Sequence, residues 1–129
     1  DAIIRADPAQ VQQVLLNLLL NAVQAIGDDG VVRITAVRTR PDDFPPGRTV
    51  PAGLDRREQH VRLSVQDNGC GIPADLRDKV FEPFFTTRHD GSGLGLAIVY
   101  RILKENGAFV YVDSVPGEST TFDIYFEAV

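Results

Sequence analysis

Apolar and polar positions along the chain fall into helical and alternating rhythms, and each predicts a different element. Over residues 8–26, Val11, Val14, Leu15, Leu16, Leu18, Leu19, Leu20 and Val23 cover most of a helix turned by about 100° per residue. One polar stripe remains, made of Gln10, Gln13, Asn17, Asn21 and Gln24. Asp7-Pro8 opens this segment with a capping carboxylate and a proline in the first helical position, and Gly27 is placed to cap its end. A helix apolar almost all round is buried, so its stripe faces a wet cavity, a ligand or another polar element. The plainer reading is that these amides face solvent or satisfy a neighbouring loop.

Alternation takes over at residues 31–37 and again at 61–66, where Val61, Leu63 and Val65 interleave with Arg62, Ser64 and Gln66 as in a strand. Between them, residues 40–59 hold Pro41, Pro45, Pro46, Pro51, Gly47 and Gly53 among charges. That composition reads as a mobile, solvated hairpin extension, with a partner-docking loop as the functional alternative. A glycine turn at 69–71, a short helix over about 74–80 and an aromatic-proline segment at 81–85 follow. The glycines of residues 91–96 then open a helix that carries Ala97, Ile98, Ile102 and Leu103 to a stop at Asn106-Gly107. Strands at 108–114 and 120–126, joined through Val115-Pro116-Gly117-Glu118, close the chain. With a β-like stretch at 2–6 the order is β-α-β-β-α-α-β-β. It predicts an α+β fold, a two-layer sandwich with helices on one face of a mixed, mostly antiparallel sheet.

Length and charge narrow the picture. The 129 residues make one domain, over 1–129, with the 40–59 extension as its only appendage. Lys and Arg number 13 against 18 Asp and Glu, so nonspecific binding to nucleic acid or anionic membrane is disfavoured. A polyanionic ligand needs local counter-charge. Cys70 is the one cysteine, which excludes an internal disulfide and a cysteine-rich zinc site. The chain opens mid-pattern at Asp1 without a methionine, which reads as a domain cut from a longer protein.

Three segments carry candidate chemistry. Asp67-Asn68-Gly69-Cys70-Gly71-Ile72 follows a strand and sets a carboxylate beside two glycines, where backbone can approach a flat ligand and Asp67 can accept from an exocyclic amine such as adenine's. The same D-N-G wording is also an ordinary turn. Gly91-Ser92-Gly93-Leu94-Gly95-Leu96 puts alternating glycines at a helix start, a place for phosphate or a hinge; it is not G-x-G-x-x-G, and the chain has no G-x-x-x-x-G-K-[ST], so a P-loop NTPase is excluded. Phe81-Glu82-Pro83-Phe84-Phe85-Thr86-Thr87 reads as core packing for at least one ring, and as the anchor of a lid ending in Arg88-His89-Asp90, with Arg88 in reach of a terminal phosphate.

In this order the segments resemble the ATP-binding catalytic domain of two-component sensor histidine kinases, within the group that includes gyrase, mismatch-repair and heat-shock chaperone ATPases. Residues 13–22 resemble the asparagine box, 67–72 the first glycine box, 81–87 the phenylalanine box and 91–96 the second glycine box. The F-E-P-F-F-T-T wording is most similar to nitrogen-regulatory and oxygen-sensing kinases. The resemblance implies the Bergerat-type fold and ATP and Mg²⁺ as ligands. It makes Asn21 the Mg²⁺ ligand, with Asn17 beside it. Asp67 would read the adenine amino group, Gly69, Gly71 and Ile72 would wall the adenine, and Thr120 would support Asp67. Gly91, Ser92, Gly93, Leu94, Gly95 and Leu96 would hold the phosphates, with Phe85 and Thr86 among the nucleotide-binding residues. Gln24 stands where many relatives carry a basic residue, which leaves Arg88 as the main direct cation.

Two departures follow. Gly117-Glu118-Ser119-Thr120 puts Ser119 in place of the second glycine of the family's last box, a question if positive φ is required there. Asn17 stands where hydrolysing relatives place a glutamate that activates water, which suits a kinase. The resemblance implies transfer of the γ-phosphate to a histidine on a separate dimerisation domain, and onward to the receiver domain of a response regulator. His60 and His89 lack the acceptor's helical setting and read as ordinary exposed residues. The implied piece is cytoplasmic and monomeric, without nucleic-acid or direct membrane contact, whether or not the parent protein is membrane-anchored. Alternatives are a stand-alone anti-sigma-type serine kinase, disfavoured by F-E-P-F-F-T-T and Asn17, and a non-catalytic nucleotide-sensing or interaction module, suggested by Ser119 and Gln24. A chaperone-type ATPase is disfavoured by Asn17.

Overall fold

The computed structural model describes residues 3–82 and 95–129. Helix α1 (Pro8–Ala25) starts where Asp7 caps it: Oδ1 accepts from the backbone N–H of Ala9 at 2.9 Å and of Gln10 at 3.4 Å. Its end differs from the sequence reading. Ile26 is the C-cap, in extended backbone (φ −88°, ψ 156°), and Gly27 is not left-handed, so the chain leaves the helix by straightening rather than by a glycine turn.

Strands β1 (Val32–Thr39) and β2 (His60–Asp67) follow. Residues 74–79 form a 3₁₀ helix, Ala74–Lys79, in place of the expected short α-helix. Helix α2 (Gly95–Glu105) ends at Gly107 (φ +67°), where the Ala108 N–H donates to the Leu103 carbonyl at 2.8 Å. Strands β3 (Phe109–Val115) and β4 (Ser119–Glu127) form the terminal hairpin.

The sheet order is β1-β2-β4-β3 and every pairing is antiparallel, so among the described residues the sheet is not mixed. The β-like start reduces to a bridge between Ile4 and Ala128, flanked by hydrogen bonds from Arg5 N to the Glu127 carbonyl (3.0 Å) and from Val129 N to the Ile3 carbonyl (2.8 Å).

One face of the sheet meets the helices. Val14 and Leu18 of α1 and Val99, Ile102 and Leu103 of α2 pack with Val65, Phe122, Ile124 and Phe126. Phe81 joins this core edge-on to Phe122, as expected for one ring of its segment. Helix α1 is not buried all round. Only Val14, Leu18 and Ala22 are buried along it, while Leu16, Leu20 and Val23 are more than half exposed. Among the described residues the sheet covers one stripe of α1 and α2 a flank, and two neighbours cannot enclose a helix on every side.

On the other face residues 40–59 are largely exposed, but Phe44 and Arg48 tie them to the sheet, which departs from the expected mobile extension. Phe44 sits 4.0 Å from the Tyr125 ring centroid and 5.9 Å from that of Phe109. Arg48 donates from Nη1 to the Tyr125 hydroxyl (2.6 Å) and from Nη2 to Asp113 (2.6 Å) and Asp123 (2.5 Å). Its guanidinium also lies 4.9 Å from the Tyr111 ring centroid. Burial works against the Arg48 charge, but the hydrogen bonds to Asp123 and Asp113 outweigh it and hold the pKa above the ordinary arginine value. The Tyr111 hydroxyl donates to the Thr49 carbonyl. His60, expected to be exposed, is buried beneath Phe44 and against Phe109, with Nδ1 at 3.0 Å from the Glu58 carbonyl. The segment is a strap bound to the sheet, and its anchors are an aromatic and an arginine scattered among prolines.

Phe44→Ala therefore lowers stability by about 2 kcal/mol, less than a fully buried Phe because the ring is half-buried. It also exposes residues 40–59 to protease; urea unfolding and limited proteolysis read both, and unchanged cleavage would refute the strap.

Burial, aided by Tyr125 and opposed by Arg48, raises the Tyr111 pKa above its ordinary value of 10.0. The folded state thus holds that proton more tightly than the unfolded one. The contribution is complete below pH about 10 and is lost as pH climbs through the folded pKa. Urea midpoints compared across that range should fall more in the parent than in Tyr111→Phe.

Candidate functional site

The polar stripe of α1 faces α2, which runs antiparallel beside it. At one end, Gln10 Nε2 donates to Glu105 (3.2 Å), and Asn106 Nδ2 donates to Gln10 Oε1 (2.8 Å). Asn106 Oδ1 accepts from the Asp7 N–H (3.0 Å), tying the start of α1 to the end of α2. One turn on, Gln13 Nε2 donates to Asn17 Oδ1 (2.9 Å), and Asn17 Nδ2 donates to the carbonyl of Gly95, the first residue of α2 (3.2 Å). Gln10 and Asn17 thus meet the ends of α2, another polar element, while Gln13 bonds Asn17 within α1. Asn21 lies one turn past Asn17 on the same stripe, beyond the first residue of α2.

At the far end of α1, the Ala25 carbonyl accepts from the Cys70 N–H at 3.2 Å. The Cys70 carbonyl accepts from the Gly117 N–H at 2.7 Å, so the loop after β2 is held between α1 and the β3–β4 turn. This close fit is what the glycines serve. A Cβ on Gly69 would lie 2.4 Å from the Ala25 carbonyl oxygen, and one on Gly71 (φ +70°) 2.5 Å from that of Val115. At both glycines the backbone packs against backbone. Cys70 itself is exposed.

Asp67 ends β2, directly opposite Thr120 of β4, and both are buried. Asp67 Oδ1 accepts from the Gly69 N–H (2.8 Å), which orients the carboxylate. Thr120 is at 3.2 Å from the Ser114 hydroxyl, which donates to the Ser119 carbonyl (2.8 Å) and accepts from the Ile72 N–H (2.7 Å). Ser114 went unnoticed in the sequence, although a hairpin through residues 115–118 already places it opposite Thr120. Asn68, also unassigned, closes the other side by accepting from the Val31 N–H at 2.7 Å. Ser119 is the first residue of β4, and the left-handed position of that turn is Gly117 (φ +80°), so serine meets no backbone conflict there.

Asn21 thus lies between the start of α2 and the 67–72 loop, on the same stripe as Gln24, with the Asp67–Thr120 pair at the end of the adjoining strands. Phe85, Thr86, Arg88, Gly91, Ser92, Gly93 and Leu94 fall outside the described residues, as does His89; of the second glycine box, Gly95 and Leu96 are described and open α2. Among the described residues, no three of His, Cys, Asp or Glu gather as a metal cage, and no helix is long and apolar enough to cross a membrane.

A two-layer α+β architecture with this loop arrangement defines a class. The chain belongs to the family of histidine kinase-, DNA gyrase B- and HSP90-like ATPases, which it matches over residues 6–129. It is 43% identical over 122 residues to the sensor histidine kinase ZraS of Escherichia coli, a match covering 95% of this chain and 22% of that protein. The chain thus spans about a fifth of the length of that relative. Among solved structures, a mycobacterial sensor histidine kinase, MprB, superposes with a TM-score of 0.77 at 27% identity, covering 97% of this chain and 76% of that one. Full-length ShkA in complex with AMPPNP gives 0.71 at 34% identity, covering 98% of this chain and 23% of that chain. The fold is the Bergerat type.

Gly71→Ala combines a left-handed φ with a backbone clash and should cost about 2 kcal/mol or more. Gly27→Ala meets open space and should be near neutral. Equal unfolding midpoints for the two variants would remove the close-approach argument.

Proposed function

We propose that this domain binds Mg·ATP between α1, the 67–72 loop and the start of α2, and donates the γ-phosphate to a histidine on a separate dimerisation domain. A response-regulator receiver domain is the onward acceptor. The observation that supports the reading most directly is the buried Asp67, oriented by the Gly69 N–H and set opposite buried Thr120 on β4.

Each residue has a physical task. Asp67, buried and oriented by the Gly69 N–H, accepts from the adenine amino group, and Thr120 fixes the carboxylate's neighbourhood through Ser114. The Gly69, Gly71 and Ile72 backbone walls the base. Asn21 offers an amide oxygen, a donor suited to Mg²⁺, which favours oxygen ligands and keeps waters and phosphate oxygens in its shell. The ion would neutralise phosphate charge that an acidic domain cannot. Asn17 is a positioning residue: with its oxygen taken by Gln13 and its nitrogen by Gly95, it holds the helix start that presents the phosphate-binding backbone. An amide there is no base for water, which favours transfer over hydrolysis. Arg88, Phe85, Thr86 and the rest of the second glycine box complete the proposal as lid and phosphate contacts. The domain acts as a cytoplasmic monomer without nucleic-acid or membrane contact.

Asp67→Asn and Asn21→Ala should each weaken Mg·ATP binding by at least about tenfold, the effect of losing one charge-assisted or metal-directed contact worth roughly 1.5–3 kcal/mol. Calorimetry on the isolated domain measures this, and unchanged affinity in both overturns the site. The domain alone should bind ATP without labelling itself, and radiolabel should pass to a supplied acceptor domain. Steady phosphate release without an acceptor would instead indicate a hydrolase, and binding without transfer a nucleotide-sensing module.

A further inference from the structure

A polar cavity opens on the face of the sheet away from the helices. It measures about 250 Å³ and is lined by Arg33 and Thr35 of β1, Arg62, Ser64 and Gln66 of β2, and Thr121 and Asp123 of β4. The register arranges these residues in rows. Thr35, Ser64 and Asp123 stand side by side across three strands, and Arg33, Gln66 and Thr121 form the next row. Arg62 flanks the middle row on its other side, opposite Tyr125. A band of hydroxyls therefore lies between two guanidinium groups.

The charges within the cavity do not balance. Its one carboxylate, Asp123, is already engaged: Oδ1 accepts from the Ser64 hydroxyl, and Oδ2 accepts from Arg48 at 2.5 Å. Arg48 belongs to the strap and divides its donors among Asp113, Asp123 and Tyr125. Arg33 and Arg62 form no ion pair with any described residue, in a chain where acids outnumber bases 18 to 13. Arg62 Nε is moreover buried without a hydrogen-bond partner. A buried N–H left so is costly, more for a charged group, and that cost is relieved by an acceptor in the cavity. Ordinary solvated arginines account for exposed guanidinium groups, but not for a buried Nε beside a polar cavity.

We propose that this cavity binds a small molecule through an oxyanion, a carboxylate or a phosphate group, held by Arg33 and Arg62. Guanidinium forks match such groups in pairs of hydrogen bonds, and Arg62 has its Nε to offer. Thr35, Thr121 and the Gln66 amide supply neutral donors. Ser64, whose proton goes to Asp123, presents only an acceptor and therefore favours a ligand that also carries a hydroxyl. The volume suits an organic acid of a few carbons or a small phosphate ester and is too small for a nucleotide. This site is separate from the proposed nucleotide site, because successive strand residues point to opposite faces: Gln66 and Thr121 line the cavity while Asp67 and Thr120 face the helix side.

The test is an NMR titration of the ¹⁵N-labelled domain with inorganic phosphate and, separately, succinate and malate, at constant ionic strength and without nucleotide. Saturable shifts at Arg33, Thr35, Arg62 and Gln66 are expected with at least one of the three. Phosphate alone points to a phosphorylated ligand, a carboxylate alone to an organic acid, and a preference for malate over succinate to the Ser64 contact. Arg62→Gln should weaken the response about tenfold or more, and so should Arg33→Gln, whose edge-strand position leaves the core untouched. Asp67→Asn should leave it unchanged. Linear, unsaturated shifts with all three anions, or an undiminished response in both arginine variants, overturns the proposal.

Discussion

The arrangement of this domain depends on how closely the loop after β2 approaches its neighbours. Residues 69–71 pass so near the Ala25 and Val115 carbonyls that side chains at Gly69 and Gly71 would collide with backbone on both sides. Hydrogen bonds from Cys70 N to Ala25 and from Gly117 N to Cys70 then fasten the loop to α1 and to the β3–β4 turn. That double attachment sets the distance between the helix carrying Asn17 and Asn21 and the strand ends carrying Asp67 and Thr120. A looser loop would still permit the fold, but it would let the two halves of the proposed nucleotide site drift apart, and preorganised binding groups lose value quickly when they do.

The second organising feature is the pair of unlike faces on one sheet. The helix face is apolar and is filled by Val14, Leu18, Val99 and Leu103 against Phe122 and Ile124. The opposite face is a mosaic: aromatic toward β3, where Phe44 and Arg48 pin the strap, and polar toward β1, where the cavity lies. Asp123 joins the two halves of that face, since one oxygen meets Ser64 in the cavity and the other meets Arg48 of the strap. Burying a carboxylate there is tolerable because both oxygens have partners, one of them charged.

Much of this was legible in the sequence, for identifiable reasons. Asp7-Pro8 marks the start of α1 because capping is local, and the alternation at Val61, Leu63 and Val65 marks β2 because a half-buried strand writes its period into the chain. Thr120 could be set beside Asp67 through resemblance, and the register puts the two opposite one another. What was illegible depends on tertiary neighbours. Nothing in the α1 pattern says that Leu16, Leu20 and Val23 stay exposed, since that follows from the sheet and α2 alone covering the helix among the described residues. The strap hid because its anchors, Phe44 and Arg48, are sparse among prolines and glycines, whose usual meaning is a loop in water. His60 is buried for the same reason: its cover comes from that strap.

Strand register connects the two sides of the molecule more tightly than their chemistry suggests. Gln66 and Asp67 are adjacent, as are Thr120 and Thr121, and β2 and β4 pair the four so that two face each side. A slip of β2 by one residue would carry Asp67 to the strap side and Gln66 to the helix side, exchanging what this strand contributes to each face. The core forbids that slip, because Leu63 and Val65 of β2 would be turned out of it. Hydrophobic packing therefore does more than stabilise the sheet: it keeps the buried carboxylate on the side of α1 and the unpaired guanidinium groups on the other, within one residue of register.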